Sequence, residues 1–490
     1  MFPGSIPAMG FLQRLKDSLD PDKVLMDVMS GFIEATAVKR ALDRDQEVWA
    51  PGKPLKLLLA GYVGSRNTGA DVRVEEMIRQ FRHVIGDDDL ELTIMSVNRE
   101  RTAGYFRTVR QVELPVVFPK FLYDECPKHH GVVSCEGSMF KSKFASALST
   151  MMAGALGMAA AENKLAVGYG AEAGAMSPAL RDFVKKHCRH ALVQCRNNPS
   201  REVLGRLNIR TTGGTDTAWT FEPAPPAVGD KLLREAGWDG EKKVLVVCPI
   251  NPFWWPVKPD LAKAAAKALV GQFREEHYRS FYFHHTSPEA DEKYDNYVDA
   301  IAYGVKQFMR DRDIFPIMVG MERLDRGSCE RVAEQIGGNV PLFISDDYNM
   351  YELVSVLRRC AYMLSSRFHA CVTSMPGLVP SAGITMDERI RNLMNDRGHP
   401  HLFLEVDEDD LGDKIVGVLE TLDKDHEQIK TDIAKVLPQQ LALMGQMGID
   451  FMDELTRVYP EFPRRDLPRT WQAHLPPLSP ELQGLLETYG

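Results

Sequence analysis

The segment Leu364-Ser365-Ser366-Arg367-Phe368-His369-Ala370-Cys371 sets a cation and an imidazole two positions apart. The apolar run from Cys360 to Leu364 before it reads as a buried strand about to end, and Ala370 to Met375 after it can start a helix. In an open α/β sheet, ligands bind just past the carboxyl ends of strands, which is where Arg367 and His369 fall. A guanidinium there offers a planar fork for phosphate or carboxylate. An imidazole offers a proton donor or acceptor near neutral pH. A surface ion pair for Arg367 and a helix cap for His369 would account for the same residues without chemistry. The elements around them must decide.

Residues 55–60 form an apolar run that leads into Gly61-Tyr62-Val63-Gly64-Ser65-Arg66-Asn67-Thr68-Gly69. A helix follows, with Val74, Met77, Ile78 and Phe81 on one face. Strand, glycine-rich turn and helix start together bring backbone N–H groups up to an anion. A tight turn without a ligand is the alternative, since the run is neither the dinucleotide fingerprint nor the lysine-bearing phosphate loop. Strands are predicted at 90–97, 112–118 and 131–135, the last ending at Glu136-Gly137-Ser138. A small-residue helix at 145–161, a strand at 165–170 and a helix at 178–186 come next. A strand at 191–196 then precedes a helix at 201–207 capped by Asn198-Pro199-Ser200. Beyond the proline-rich Glu222-Pro223-Ala224-Pro225-Pro226 the alternation resumes. Strands are predicted at 243–248, 314–320, 342–344, 360–364 and 378–384, with helices at 260–276, 294–310, 328–336 and 350–359 and a short irregular stretch at 280–284.

Such alternation specifies doubly wound parallel sheets. The expected architecture is α/β, with Rossmann-like domains at 51–222 and 243–410 facing a cleft across a linker at 223–242. A helical N-terminal extension (1–50) and a helical tail (411–490) flank them, the last prolines of the tail wrapping the surface.

Hydrophobic residues make up 44% of the 490 and charged residues 26%, and the net charge is −9. This is globular composition too acidic for a protein that holds nucleic acid by bulk attraction. The eight cysteines show no CxxC spacing, so neither a zinc site nor a redox dithiol is expected, and the pattern fits the reducing cytoplasm. No signal peptide and no membrane span are expected, while peripheral membrane association and oligomeric state stay open. His129-His130 and His284-His285 are weak metal candidates, because adjacent side chains point apart, and no metal or cofactor is expected.

The strand ends form the candidate site. The first domain offers Gly64, Asn67, Gly69, Gly137 and Ser138; the second offers Asn251, Ser366, Arg367, His369, Asp387 and Arg389. Backbone donors, guanidinium groups and one histidine suit an anionic substrate and proton transfer. Each has a plainer reading. Asn67 could only stabilise its turn, Ser138 only cap a helix, and Asp387 only pair with Arg389 or Arg391. Glu322 and Asp325 read as solvated loop charges, and Trp254-Trp255 as either a sugar platform or packing.

From about Leu57 to Leu404 these motifs, in order, resemble the polysaccharide pyruvyl transferases. Gly61 to Gly69 is similar to that family's opening loop, and Gly137-Ser138-Met139-Phe140 to its glycine–serine strand end. Cys195-Arg196-Asn197-Asn198-Pro199-Ser200 with Leu204, Leu207 and Asp216 is similar to its Arg-Asp…Ser…Leu…Asp segment. Ser366-Arg367-Phe368-His369-Ala370 is similar to its Arg-x-His-Ala motif, and 379–389 to its final strand.

The resemblance implies a glycosyltransferase-B-like fold and transfer of pyruvate from phosphoenolpyruvate, as co-substrate, to two hydroxyls of a saccharide acceptor. It implies His369 as general acid, with Arg367 and Arg389 on the donor anion and Arg196 in the site. Five positions depart from the family pattern. Ala70 stands where Asp is usual, with Asp71 one place later, Glu136 within a glycine run, Asn197 for Asp, Asn251 near a usual Arg, and Arg389 for Lys. A nucleotide-sugar glycosyltransferase of the same architecture and a non-catalytic family member are the alternatives.

Overall fold

The computed structural model describes residues 20–42, 47–260 and 282–490. In the first half, β1 (Leu55–Val63), β2 (Leu90–Ser96), β3 (Arg110–Glu113), β4 (Gly131–Ser134), β5 (Leu165–Ala171), β6 (Leu192–Cys195) and β7 (Arg210–Gly213) build one sheet. Its order is β3-β2-β1-β4-β5-β6-β7 and every pair is parallel. In the second half, β8 (Lys243–Cys248) is followed by a short antiparallel pair, β9 (Lys258–Pro259) and β10 (Tyr282–Phe283). Then β11 (Ile314–Gly320), β12 (Leu342–Ile344), β13 (Tyr362–Ser365), β14 (Ser381–Thr385) and β15 (Phe403–Glu405) join β8 in the parallel order β12-β11-β8-β13-β14-β15. Helices cover both faces, so the central strands are apolar throughout, as in Leu57-Leu58-Leu59-Ala60 and Val244-Leu245-Val246-Val247, all buried. The two doubly wound domains expected from the alternation are present.

The carboxyl ends of the two sheets meet. The Thr68 N–H donates to the Met321 carbonyl (2.8 Å), and the Val257 N–H to the Phe144 carbonyl (2.9 Å). Lys141 of the first half pairs with Glu388 of the second at 2.6 Å. The helix Thr68–Ile85 runs between the halves and is buried almost all round, carrying Asp71, Arg73, Glu76 and Gln80 into the interior.

Several elements differ from the sequence expectation. The third strand is Arg110–Glu113 and stops before Pro115, which has no N–H to pair. Asn197, rather than 198–200, caps the helix Asn198–Gly205, accepting the Ser200 N–H at 2.9 Å. The expected linker contains the helix Pro226–Glu235. The short edge strands β7 and β15 lack the apolar run that would announce them. Residues 1–19 and 43–46 of the N-terminal extension, and most of the helix expected at 260–276, lie outside the described residues. The helix Pro21–Leu42 explains the small residues of Ser146–Ala161: a side chain at Gly154 would come within 2.9 Å of Met29, and one at Gly157 within 2.9 Å of Ile33.

The tail is more than a surface wrap. The helix His426–Val458 begins beside the second sheet, where Asp432 meets His399 (3.4 Å), and ends against the first. There the Met444 and Met447 carbonyls accept from Gln80 (2.9 Å) and Gln194 (2.8 Å), and the Phe451 ring packs 4.6 Å from Phe81. Leu475 and Leu482, near the terminus, are buried too. All eight cysteines are buried free thiols. Among the described residues no helix is long and apolar enough to cross a membrane.

Candidate active site

β13 ends at Ser365, whose hydroxyl accepts the Arg367 N–H (3.0 Å) and turns the chain into the helix Phe368–Ser374. His369 therefore sits in the first turn of that helix, at the meeting of the two halves. Its Nε2 lies 3.2 Å from Oδ2 of Asp216, 153 residues away on the turn after β7. Asp216 is fully buried and also takes Arg196 Nη1 (2.7 Å), Arg73 Nε (3.2 Å) and the Ala218 N–H (3.0 Å). Burial works against its charge, yet Arg73, His369 and Arg196 together hold it well below the usual carboxylate range.

Burial pushes His369 below its ordinary value, with Arg73 and Arg196 adding and Asp216 opposing. The imidazole is thus neutral at pH 7. Facing Asp216, Nε2 carries the hydrogen and Nδ1 is left as the acceptor. The ring is pressed against Gly69, where a Cβ would fall 2.3 Å from Nδ1. Glycine at 69 is therefore needed for close approach rather than for an unusual φ.

Arg196 is clamped between the Gly137 backbone and the Phe368 ring, its Cζ 4.7 Å from the ring centre. Besides Asp216 it holds Glu172 (3.0 Å), which Lys141 also binds at 2.6 Å. Burial opposes ionisation of Glu172, but Arg196 and Lys141 bring it down to about 2. Arg389 rests on Phe144 (4.8 Å) with its Nε on Asp387 (2.8 Å).

Arg367 differs from the expectation. Its Nε binds Asp325 Oδ2 (2.9 Å), and its Nη2 binds Glu322 Oε2 (2.8 Å) and Asp325 Oδ1. Glu322 and Asp325 are 1% exposed, so they are not solvated loop charges: they lock the turn after β11 to Arg367. Burial raises Asp325 to about 6 even with Arg367 beside it.

These groups enclose a cavity of ≈ 120 Å³. Of the predicted residues, Asn67, Gly69, Gly137 and Ser138 reach it from the first half, with Arg196, and Ser366, Arg367, His369 and Arg389 from the second. Asn67 also caps its helix through Ala70 N–H (3.2 Å), so the plainer reading holds alongside the other. Ser138 lies in a turn eight residues before the next helix and caps nothing.

Gly64, Asn251 and Asp387 stand outside the lining. Gly64 has φ +88° and packs on Ser96 and Asn98, Asn251 caps a short turn through Phe253 N–H (3.0 Å), and Asp387 is taken up by Arg389. Trp255 lines the cavity beside Phe144, whereas Trp254 stacks on His284 (4.5 Å). His129 and His130 are buried hydrogen-bonding groups, each pushed by burial to about 4.

Asp216, Arg73, Glu172, Lys141 and Glu136 were not among the predicted site residues. Only Arg73 carried a local signal, a charge between Val72 and Val74 on an otherwise apolar stretch.

With this geometry in hand, the chain can be set beside known proteins. Residues 155–388 match the polysaccharide pyruvyl transferase family model. That stretch holds Arg196, Asp216, Arg367 and His369, and bears out the resemblance there; the Gly61–Gly69 loop and the Gly137-Ser138 strand end lie outside it. No curated protein sequence matches the chain. Among solved structures, the S. aureus MnaA–UDP complex is similar with a TM-score of 0.50 at 8% identity, covering 82% of this chain and 97% of its own. A UDP-GlcNAc 2-epimerase from Neisseria meningitidis bound to UDP-GlcNAc is similar with a TM-score of 0.49 at 10% identity, covering 82% and 100%. At this identity the likeness is one of fold: two Rossmann-like domains in the glycosyltransferase-B-like arrangement.

Proposed function

We propose that the protein transfers pyruvate from phosphoenolpyruvate to two hydroxyls of a saccharide, forming a ketal and releasing phosphate. The observation that carries this reading is the cavity itself. It sets three guanidinium groups, those of Arg196, Arg367 and Arg389, around one imidazole in a space of ≈ 120 Å³.

In this reading Arg196 and Arg389 hold the phosphate and carboxylate of the donor. Asp216 fixes the His369 ring, so Nδ1 accepts the proton of the attacking hydroxyl. The family resemblance gave His369 the acid's part; the neutral imidazole beside Asp216 suits the base. The Phe144–Trp255 wall offers apolar faces to a sugar ring.

The test is phosphate release from phosphoenolpyruvate with envelope-type sugar precursors as acceptors. Release that needs an acceptor and falls at least about 10²-fold in His369→Ala supports the reading. Tight UDP binding with no phosphoenolpyruvate binding would replace it with the glycosyltransferase alternative.

A further inference from the structure

One carboxyl group in the cavity has no part in the reaction as described. Glu136 follows β4 and lines the cavity. Its Oε1 accepts the Tyr62 N–H at 3.0 Å, which fixes the side chain, and among the described residues Oε2 makes no hydrogen bond. Ala70, in the first turn of the helix Thr68–Ile85, lines the same cavity. Relative to the pattern that the chain resembles, one position has lost a carboxyl and the other has gained one, within a single enclosed space.

We propose that Glu136 is the catalytic acid of this site, delivering a proton to the methylene carbon of the enol donor and standing in for the carboxyl absent at Ala70. This rests on the phosphoenolpyruvate reading above. The Glu136 O–H bond breaks as the methylene C–H bond forms from the π electrons, leaving the adjacent carbon electron-poor. The first acceptor hydroxyl bonds that carbon and passes its proton to His369 Nδ1. The carbon–oxygen bond to phosphate then breaks, the electron pair leaving on phosphate, which takes the proton from His369. The second hydroxyl closes the ketal, and its proton restores Glu136. Both groups end as they began.

Burial raises Glu136 from its ordinary value and Asp216 adds to this, while Arg73, the Tyr62 N–H and Arg196 oppose it. Asp71, on the same helix as Arg73, is raised by burial to about 8 and is a poor source of further attraction. Cys135, next to Glu136, is held as a thiol. Disfavouring charge on both groups suits a carboxyl that donates a proton and an imidazole that accepts one, the division of labour the reaction needs.

Glu136→Gln keeps the acceptor for the Tyr62 N–H and removes the proton. Its phosphoenolpyruvate affinity by calorimetry is expected within a few-fold of wild type, with acceptor-dependent phosphate release down about 10²- to 10⁴-fold. Ala70→Asp added to Glu136→Gln is expected to regain at least about tenfold and to shift the alkaline limb of the pH–rate profile, which a structural role would not do. Aspartate is well tolerated in the first turn of a helix, so this double variant should fold.

Turnover of Glu136→Gln within about threefold of wild type overturns the inference while leaving the donor reading standing. A loss of donor affinity that accounts for the whole loss of turnover overturns it as well, and a double variant that binds donor but regains nothing overturns the link to Ala70. Wild-type protein that neither binds nor consumes phosphoenolpyruvate overturns the donor reading itself.

Discussion

Two arginines at strand ends face the same cavity, and each is held by two buried carboxylates, yet their surroundings differ in charge. Around Arg196 stand Arg73 and Lys141 as well, and Lys141 also holds Glu388, so three cations meet three carboxylates. Around Arg367 stand only Glu322 and Asp325, and Asp325 is already raised to about 6. The first cluster is balanced in charge. The second is acidic and self-satisfied. A guanidinium in a motif thus says little about anion binding until its partners are counted.

Arg196→Met should have the largest effect. It strands two buried carboxylates, costing about 3–5 kcal/mol in urea unfolding, and abolishes donor binding by calorimetry. Arg367→Met should cost a comparable amount of stability at pH 8 but leave donor affinity within about threefold. Its penalty should shrink as pH falls toward 5, because Asp325, freed of its cation, takes up a proton in the folded state. Equal losses of donor binding in the two variants would break the comparison.

A smaller effect concerns Asp71, raised to about 8 by burial against the opposing pull of Arg66. Glu76 is raised by burial to about 7. Both folded values exceed the unfolded ones, so the folded state binds more protons and stability falls as pH rises through these values. His129, His130 and His187, lowered by burial to about 4, act in the opposite sense but only below about 6.5, their unfolded value. Between pH 6.5 and 8, stability should therefore fall by about 2 kcal/mol, and Asp71→Asn should remove most of that slope in pH-resolved unfolding. Asn251→Ala should show the least: about 1 kcal/mol from the lost cap and unchanged phosphate release.

The fold was legible because alternating apolar runs and turns are local signals, and most strands were found this way. The positions of His369 and Arg196 were legible for the same reason, as residues just past such runs. Their partners were not. Asp216 meets His369 across 153 residues, and Glu322 and Asp325 meet Arg367 across 45 and 42, separations with no periodicity to follow. Charged residues in a loop look solvated until the arginine that buries them is known. Glu136 stood out only as a departure from a pattern, and its meaning depends on Ala70 lying in the same cavity.

The helix His426–Val458 has a consequence for how the chain is made. It fills the first sheet's side with Met444, Met447 and Phe451, and its Glu454 clamps Arg210 on β7 (2.8 Å). Synthesis runs from the N-terminus, so Gln80 is made 364 residues before Met444, whose carbonyl satisfies it. Completion of the first domain thus waits for residue 444, and truncations or stalled chains that end before it should be the ones that chaperones retain.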